Sequence, residues 1–220
     1  MKKISHFLKT TEGLFIGSVV LIIILLLAYY WYAMTTRPPA TPPGTVTVSE
    51  TDHVRGAAGA KVTMVEFADF QCPACGAYAP LVEQLLKDNP NTLQVVFKHF
   101  PLTQIHANAL LASKAVESAG LQGKFWEMHD MIYAKQGEWS GLLNARDMFL
   151  TYAATLSLDQ TKFAQGLDSD EIEKKVLAEY TEGVKLGVQG TPTFFINGEK
   201  IENPSSIEAF DALIKKAAEN

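Results

Sequence analysis

The chain is poor in cysteine: among 220 residues only Cys72 and Cys75 carry a thiol. Two thiols are half of a tetrahedral zinc site. His99 and His106 would have to complete it, and nothing in their spacing asks for that. Positive charge is also short, with 19 Lys and Arg against 24 Asp and Glu. Beyond residue 50 the balance is 15 against 22, and no basic stripe runs through that part. Nucleic acid is therefore excluded as a partner. No segment repeats. The length and the 47% hydrophobic content fit one folded domain with residues to spare.

Charge is missing altogether from Leu14 to Ala33. At roughly 1.5 Å per residue this apolar run is about 30 Å long as a helix, the thickness of a bilayer core. Tyr29, Tyr30, Trp31 and Tyr32 stand at its far end, where amphipathic rings favour a membrane interface. A cleaved signal peptide has a shorter core and a small-residue site after it, and YYWYAMTT offers none. The expectation is an uncleaved anchor over residues 14–34 that contacts the lipid bilayer. Lys2, Lys3 and Lys9 precede it and only Arg37 follows closely, so residues 1–13 are expected in the cytoplasm and the rest across the membrane. Both cysteines would then face an oxidising space. The Pro- and Thr-rich stretch 35–50 reads as a semi-rigid tether.

The folded domain is expected over residues 51–220. KVTMVEFAD (61–69) is β-branched and apolar, which suits a buried strand. Pro73 fits the first turn of a helix with Cys72 as N-cap, running to about Lys87 past Pro80. TLQVVFKHF (92–100) is a second strand, so a βαβ unit in a partly parallel sheet begins here. Ile105, Ala109, Ala112, Val116 and Ala119 mark one face of a helix that ends at Gly120. Further helices are expected over 123–136, from an Asn144 cap with Asp147 three residues on, and from a Ser169 cap to Gly187. TFFINGEKI (193–201) reads as a hairpin about Asn197-Gly198. Ser205 with Glu208 forms a capping box for the last helix. The fold class is α/β, with a helical insertion over about 103–187.

Cys-x-x-Cys at a helix start puts both thiols on one face, close enough for a disulfide after a small adjustment. Cys72 at the N-cap meets free backbone N–H groups and the positive end of the helix dipole, which stabilise a thiolate. Cys75, one turn in, is placed to resolve a mixed disulfide formed at Cys72. A purely structural disulfide here would close too short a loop to remove much chain entropy. The simplest reading is a redox catalyst without metal or cofactor.

EFADFQCPAC together with GTPTFFING resembles the thioredoxin superfamily, and within it the DsbA-type thiol-disulfide oxidoreductases in membrane-anchored bacterial form. FKHFPLTQIHANALLASKAVESAGLQGKFWEMHDMIY is similar to the helical insert of that branch. The resemblance covers roughly residues 55–218. It implies Cys72 as nucleophile, Cys75 as buried partner, and Pro192 as a cis-proline facing the pair. Thr191 before it would offer its backbone to an extended substrate. The same Thr-Pro read alone is an ordinary trans turn. Glu66 would lie beneath the disulfide and move protons, its pKa raised by burial; the alternative is an acid pointing outward from a strand edge. The departure is Pro73-Ala74 where strong oxidases resemble Cys-Pro-His-Cys. The resemblance implies a bacterial plasma membrane, and nothing in the chain asks for more than a monomer. Its partners would be thiol-containing exported proteins and a membrane redox partner, quinone-linked in the family. It would act as an oxidase, with a reductase or isomerase, or a non-catalytic binding module, as the alternatives.

Overall fold

The structure is a computed structural model that describes residues 11–35 and 46–219. The chain divides into two units, Met1–Pro42 and Pro43–Asn220. The first contains helix α1, Thr11–Thr35. Its described side chains run from Ser18 to Tyr32. Among the described residues no helix is long and apolar enough to cross a membrane. That corrects the expected transmembrane helix. Most of the expected tether, 36–45, lies outside the described residues.

In the second unit, β1 (His53–Gly56), β2 (Val62–Ala68), β3 (Leu93–His99), β4 (Thr193–Ile196) and β5 (Glu199–Lys200) form one sheet in the order β1-β3-β2-β4-β5. Only β2 and β3 pair in parallel; the other neighbours are antiparallel. Helix α2 (Pro73–Asp88) makes the crossover between β2 and β3. The expected α/β fold with a mixed sheet is therefore present. Asn197 and Gly198 both take positive φ, 47° and 88°, as a tight hairpin between β4 and β5 demands.

Between β3 and β4 lie six helices: α3 (Ala109–Gly120), α4 (Phe125–Ala134), α5 (Gln136–Trp139), α6 (Arg146–Thr155), α7 (Gln160–Leu167) and α8 (Asp170–Lys185). Ser169 caps α8 as expected, its hydroxyl accepting from Ile172 N at 3.3 Å. Three boundaries differ from expectation. α3 starts at Ala109, because Leu102 O accepts from Ile105 N and His106 N in a turn that leaves Ile105 73% exposed. Asn144 accepts from Arg146 N at 2.9 Å in an Asx turn, and Ala145 occupies the cap of α6. Ser206, not Ser205, accepts from Ala209 N before the last helix α9 (Ile207–Glu219).

Side chains alternate along β2, as the pleat requires. Val62 and Met64 pack with Leu93, Phe194 and Phe210 beside Val82 and Leu85 of α2. Val65 and Phe67 pack on the other face with Val96, Phe195 and Leu186. A third cluster fills the insert, where Phe70 and Phe97 meet Met128, Ile132, Trp139 and Phe149. By the same alternation Glu66 shares the face of Val62 and Met64, the face that α2 covers.

Candidate active site

β2 ends at Ala68, and four residues carry the chain into α2. Asp69, fully buried, shapes that turn. Its Oδ1 accepts from Gln71 N at 2.7 Å, and its Oδ2 accepts from Leu102 N at 2.9 Å and lies 2.7 Å from His106 Nδ1. Cys72 follows as N-cap, with extended φ −69° and ψ 122°, and Pro73 opens the helix where no N–H is needed. Cys72 is 8% exposed and Cys75 is 0% exposed; both thiols are free. Opposite them stands the loop before β4. The Thr191–Pro192 peptide is cis, and Thr191 O accepts from Cys72 Sγ at 3.4 Å. Thr193 Oγ1 donates to Gly190 O at 2.7 Å and Asn203 Nδ2 to Pro192 O at 2.7 Å, which hold that loop at both ends.

The two thiols titrate far apart. A hydrogen bond from Cys75 lowers the Cys72 thiol to about 5, helped by the Thr191 side chain and the backbone N–H groups of Cys75 and Ala74, against the opposing effect of burial. Thr191 Oγ1 is buried and has no partner while Cys72 is a thiol, so it is free to donate once the thiolate forms. Cys75 moves the other way. Burial pushes its thiol far up, with the hydrogen bond to Cys72 and the proximity of Glu66 acting in the same sense.

Glu66 lies mid-strand between Phe97 of β3 and Phe194 of β4, 3% exposed. Desolvation raises its carboxyl to about 8. It reaches a crevice of about 20 Å³ that Val95, His129 and Asp130 also line, room for about one water. The outward-pointing alternative for Glu66 is thus not what the chain adopts.

His99 and His106 do not turn toward the cysteines. His106 pairs with Asp69, and His99 Nε2 lies 3.0 Å from Glu117 Oε1. His53 and Lys175 reach the same carboxylate. Burial would raise that carboxyl, but the hydrogen bonds from His53 and His99 hold it well below the usual range. Among the described residues no group of His, Cys, Asp and Glu is placed to hold a metal ion.

Sequence reasoning passed over four polar residues that build this site. Asp69 is one. Gln71 Nε2 donates to Ser140 O and its Oε1 accepts from Asn108 N, both at 2.7 Å. Asn108 in turn binds Leu142 O and Ala145 N. Gln136 Nε2 donates to Phe70 O at 2.7 Å and Cys72 O at 2.9 Å. The one local signal was Asp69-Phe70-Gln71, an Asx-turn pattern.

A family model described as Thioredoxin matches residues 48–216. Curated relatives include a Na(+)/H(+) antiporter NhaA 1 of Salinispora arenicola, 44% identical over 169 residues, covering 76% of this chain and 25% of that protein. Another is the Na(+)/H(+) antiporter NhaA 1 of Mycolicibacterium gilvum, 34% identical, with 74% and 27% covered. The chain thus spans about a quarter of the length of these relatives. Their names overturn the expected placement as a single-pass protein of a bacterial inner membrane, since the matched region belongs there to antiporters. Among solved structures, BdbD of Bacillus subtilis (oxidised) superimposes with a TM-score of 0.68 at 22% identity, covering 76% of this chain and 92% of that one. Wolbachia pipientis alpha-DsbA1 gives 0.70 at 21%, with 81% and 96% covered. Pseudomonas aeruginosa DsbA2 gives 0.59 at 25%, with 77% and 98% covered. The chain belongs to the thioredoxin family. Its structural neighbours are DsbA-type thiol-disulfide oxidoreductases, in agreement with the resemblance and the enzyme class read from the sequence.

Proposed function

We propose that this member of the thioredoxin family is a thiol-disulfide oxidoreductase that oxidises cysteine pairs of client proteins, with Cys72 and Cys75 as its dithiol/disulfide couple. The observation that carries the direction is the split between the thiols, Cys72 at about 5 and Cys75 far above its ordinary value. A stabilised Cys72 thiolate favours the reduced form and so makes the disulfide an oxidant. It is also the better leaving group.

The steps balance. A client thiolate attacks Cys72 Sγ of the Cys72–Cys75 disulfide; an intermolecular S–S bond forms and Cys75 leaves with the electron pair. Cys75 then needs a proton, because its buried thiolate is costly. Glu66, neutral below about 8, supplies one and recovers it through the crevice beside His129. The client's second thiolate attacks its own sulfur in the mixed disulfide, and Cys72 departs as the thiolate. The client loses two electrons and the enzyme pair gains them; a separate electron acceptor must restore the disulfide. Thr191, with its carbonyl 3.4 Å from Cys72 Sγ, lies where an extended client chain would pair with its backbone.

The test is the reduction potential of the pair, measured by counting free thiols in glutathione buffers. A value near roughly −120 mV supports the oxidase reading, and one near roughly −270 mV assigns a reductase instead.

A further inference from the structure

Gln136 is the first residue of α5, in the insert, yet it acts on the turn that presents Cys72. Its Nε2 donates to the two carbonyls on either side of Gln71, Phe70 O at 2.7 Å and Cys72 O at 2.9 Å. The Cys72 carbonyl also accepts from Gly76 N at 3.1 Å, the bond that closes the first turn of α2. One amide therefore ties the two sides of the nucleophile's turn together. The backbone behind it is fixed: Trp139, three residues on, is fully buried, stacks edge-on against Phe149 and donates to Ile132 O at 2.9 Å. On the other side Gly76 leaves the space the amide fills. A Cβ there would sit 2.8 Å from Gln136 Oε1 and 3.2 Å from its Cδ and Nε2.

We propose that Gln136 is a positioning residue: it clamps the N-cap of α2 so that the Ala74 and Cys75 N–H groups stay aimed at Cys72 Sγ, and Gly76 is glycine to let it do so. The physical reason lies in the cap itself. An N-cap residue takes extended dihedrals that its helix does not enforce. As a thiol, Cys72 makes no side-chain cap bond to hold them; its N–H donors act on the thiolate. Gln136 holds the carbonyl end of that residue, the peptide plane that also carries the Pro73 nitrogen. Released, Cys72 turns about its own ψ, and the thiolate loses part of its alignment with the backbone donors. The clamp comes from a segment more than 60 residues away, so it also makes the insert a working part of the site.

The inference rests on Cys72 being the reacting thiol, and one experiment separates the two. The full chain is reduced, and the rate of Cys72 alkylation by iodoacetamide is followed against pH, with the labelled residue identified by mass spectrometry. Four proteins are compared: wild type, Gln136→Met, Gly76→Ala, and the double variant. Methionine keeps the length and loses the donor. Alanine at 76 pushes the flexible amide off the carbonyls. The expected result is a midpoint raised by about half a unit in each single variant, roughly threefold in the thiolate equilibrium. The double variant should go no further than either, because both remove one clamp. Equal midpoints in all four proteins, whatever happens to the melting temperature, would reduce Gln136 to packing and overturn the inference; so would shifts that add. If Gln136→Met does not fold, Gly76→Ala decides by the same criterion. An ordinary wild-type midpoint near 9 would instead sink the function proposed for the pair, and the inference with it.

Discussion

Replacing Glu66 with glutamine tests the buried acid directly. Burial raises this carboxyl from an ordinary 4.5 to about 8. The folded protein therefore holds a proton on Glu66 that the unfolded chain releases above its own pKa. The sign follows: below about 4.5 both states bind the proton and Glu66 costs nothing. As the pH rises from about 4.5 to about 8, the unfolded state is increasingly favoured, and the loss stops once the folded state also ionises. At 1.36 kcal/mol per unit, about 3.5 units correspond to roughly 5 kcal/mol over the window, of which about 3 kcal/mol has accrued by pH 7. Glutamine keeps the shape and cannot ionise. Its buried amide brings an offset of about 1–3 kcal/mol if left unpaired, but that offset does not change with pH. The assay is urea unfolding of the reduced full chain at half-unit steps from pH 4 to pH 8.5. The difference in stability between wild type and Glu66→Gln should slope through that window and be flat below it. Other titrating groups away from the crevice, such as Glu179, are common to both proteins and cancel. A flat difference from pH 4.5 to pH 8 would refute the raised pKa and, with it, the role of Glu66 as proton donor to Cys75.

Three further outcomes are expected. Offered oxidised glutathione, Cys75→Ser should accumulate a mixed disulfide at Cys72: the Cys72 thiolate attacks one sulfur, one glutathione thiolate leaves, and the Cys75 thiol that would resolve the adduct is gone, so a mass adduct that dithiothreitol removes persists. Asp69→Ala removes the acceptor of Gln71 N and Leu102 N and the partner of His106 from a fully buried site; the loss in urea unfolding should be about 3 kcal/mol, and a loss under about 0.5 would show the turn held by other means. Gly183→Ala puts a Cβ 2.7 Å from the Phe100 ring and 2.9 Å from that of Phe67, both buried, and should cost about 1–3 kcal/mol in thermal unfolding without moving the Cys72 alkylation midpoint.

Much of the scaffold was legible because its signals are local. The apolar runs gave β2 and β3, Cys72-Pro73 gave the start of α2, and Asn197-Gly198 gave the hairpin. β1 escaped because His53–Gly56 alternates between half-buried and exposed and becomes a strand only by pairing with β3. α7 escaped although Asp159 caps it, accepting from Lys162 N at 3.0 Å. Its Gly166 reads as a helix breaker in sequence; in the fold it is where α7 lies against Ser118 of α3 too closely for any Cβ. The site divides the same way. Cys72, Cys75, Glu66, Thr191 and Pro192 announce themselves through short motifs. Asp69, Gln71, Asn108 and Gln136 are ordinary polar residues until the fold brings each to a backbone group or side chain dozens of positions away.

The dipeptide between the cysteines shows why this division matters. Ala74 has no donor and no charge, and by motif alone it departs from the strong oxidases and leaves stabilisation to the helix terminus and its backbone. The structure lowers Cys72 to about 5 all the same, through Cys75, Thr191 and two backbone N–H groups. Stabilisation is thus spread over the helix terminus and the opposite loop rather than concentrated in the x-x residues. Ala74 is exposed, so a side chain placed there acts through solvent, where a single polar contact is worth about 0.2–1 kcal/mol. Ala74→His should therefore lower the Cys72 alkylation midpoint by less than about one unit. A drop of two units or more would mean that position 74 governs the thiolate after all, and that the donors around Cys72 contribute far less than their geometry implies.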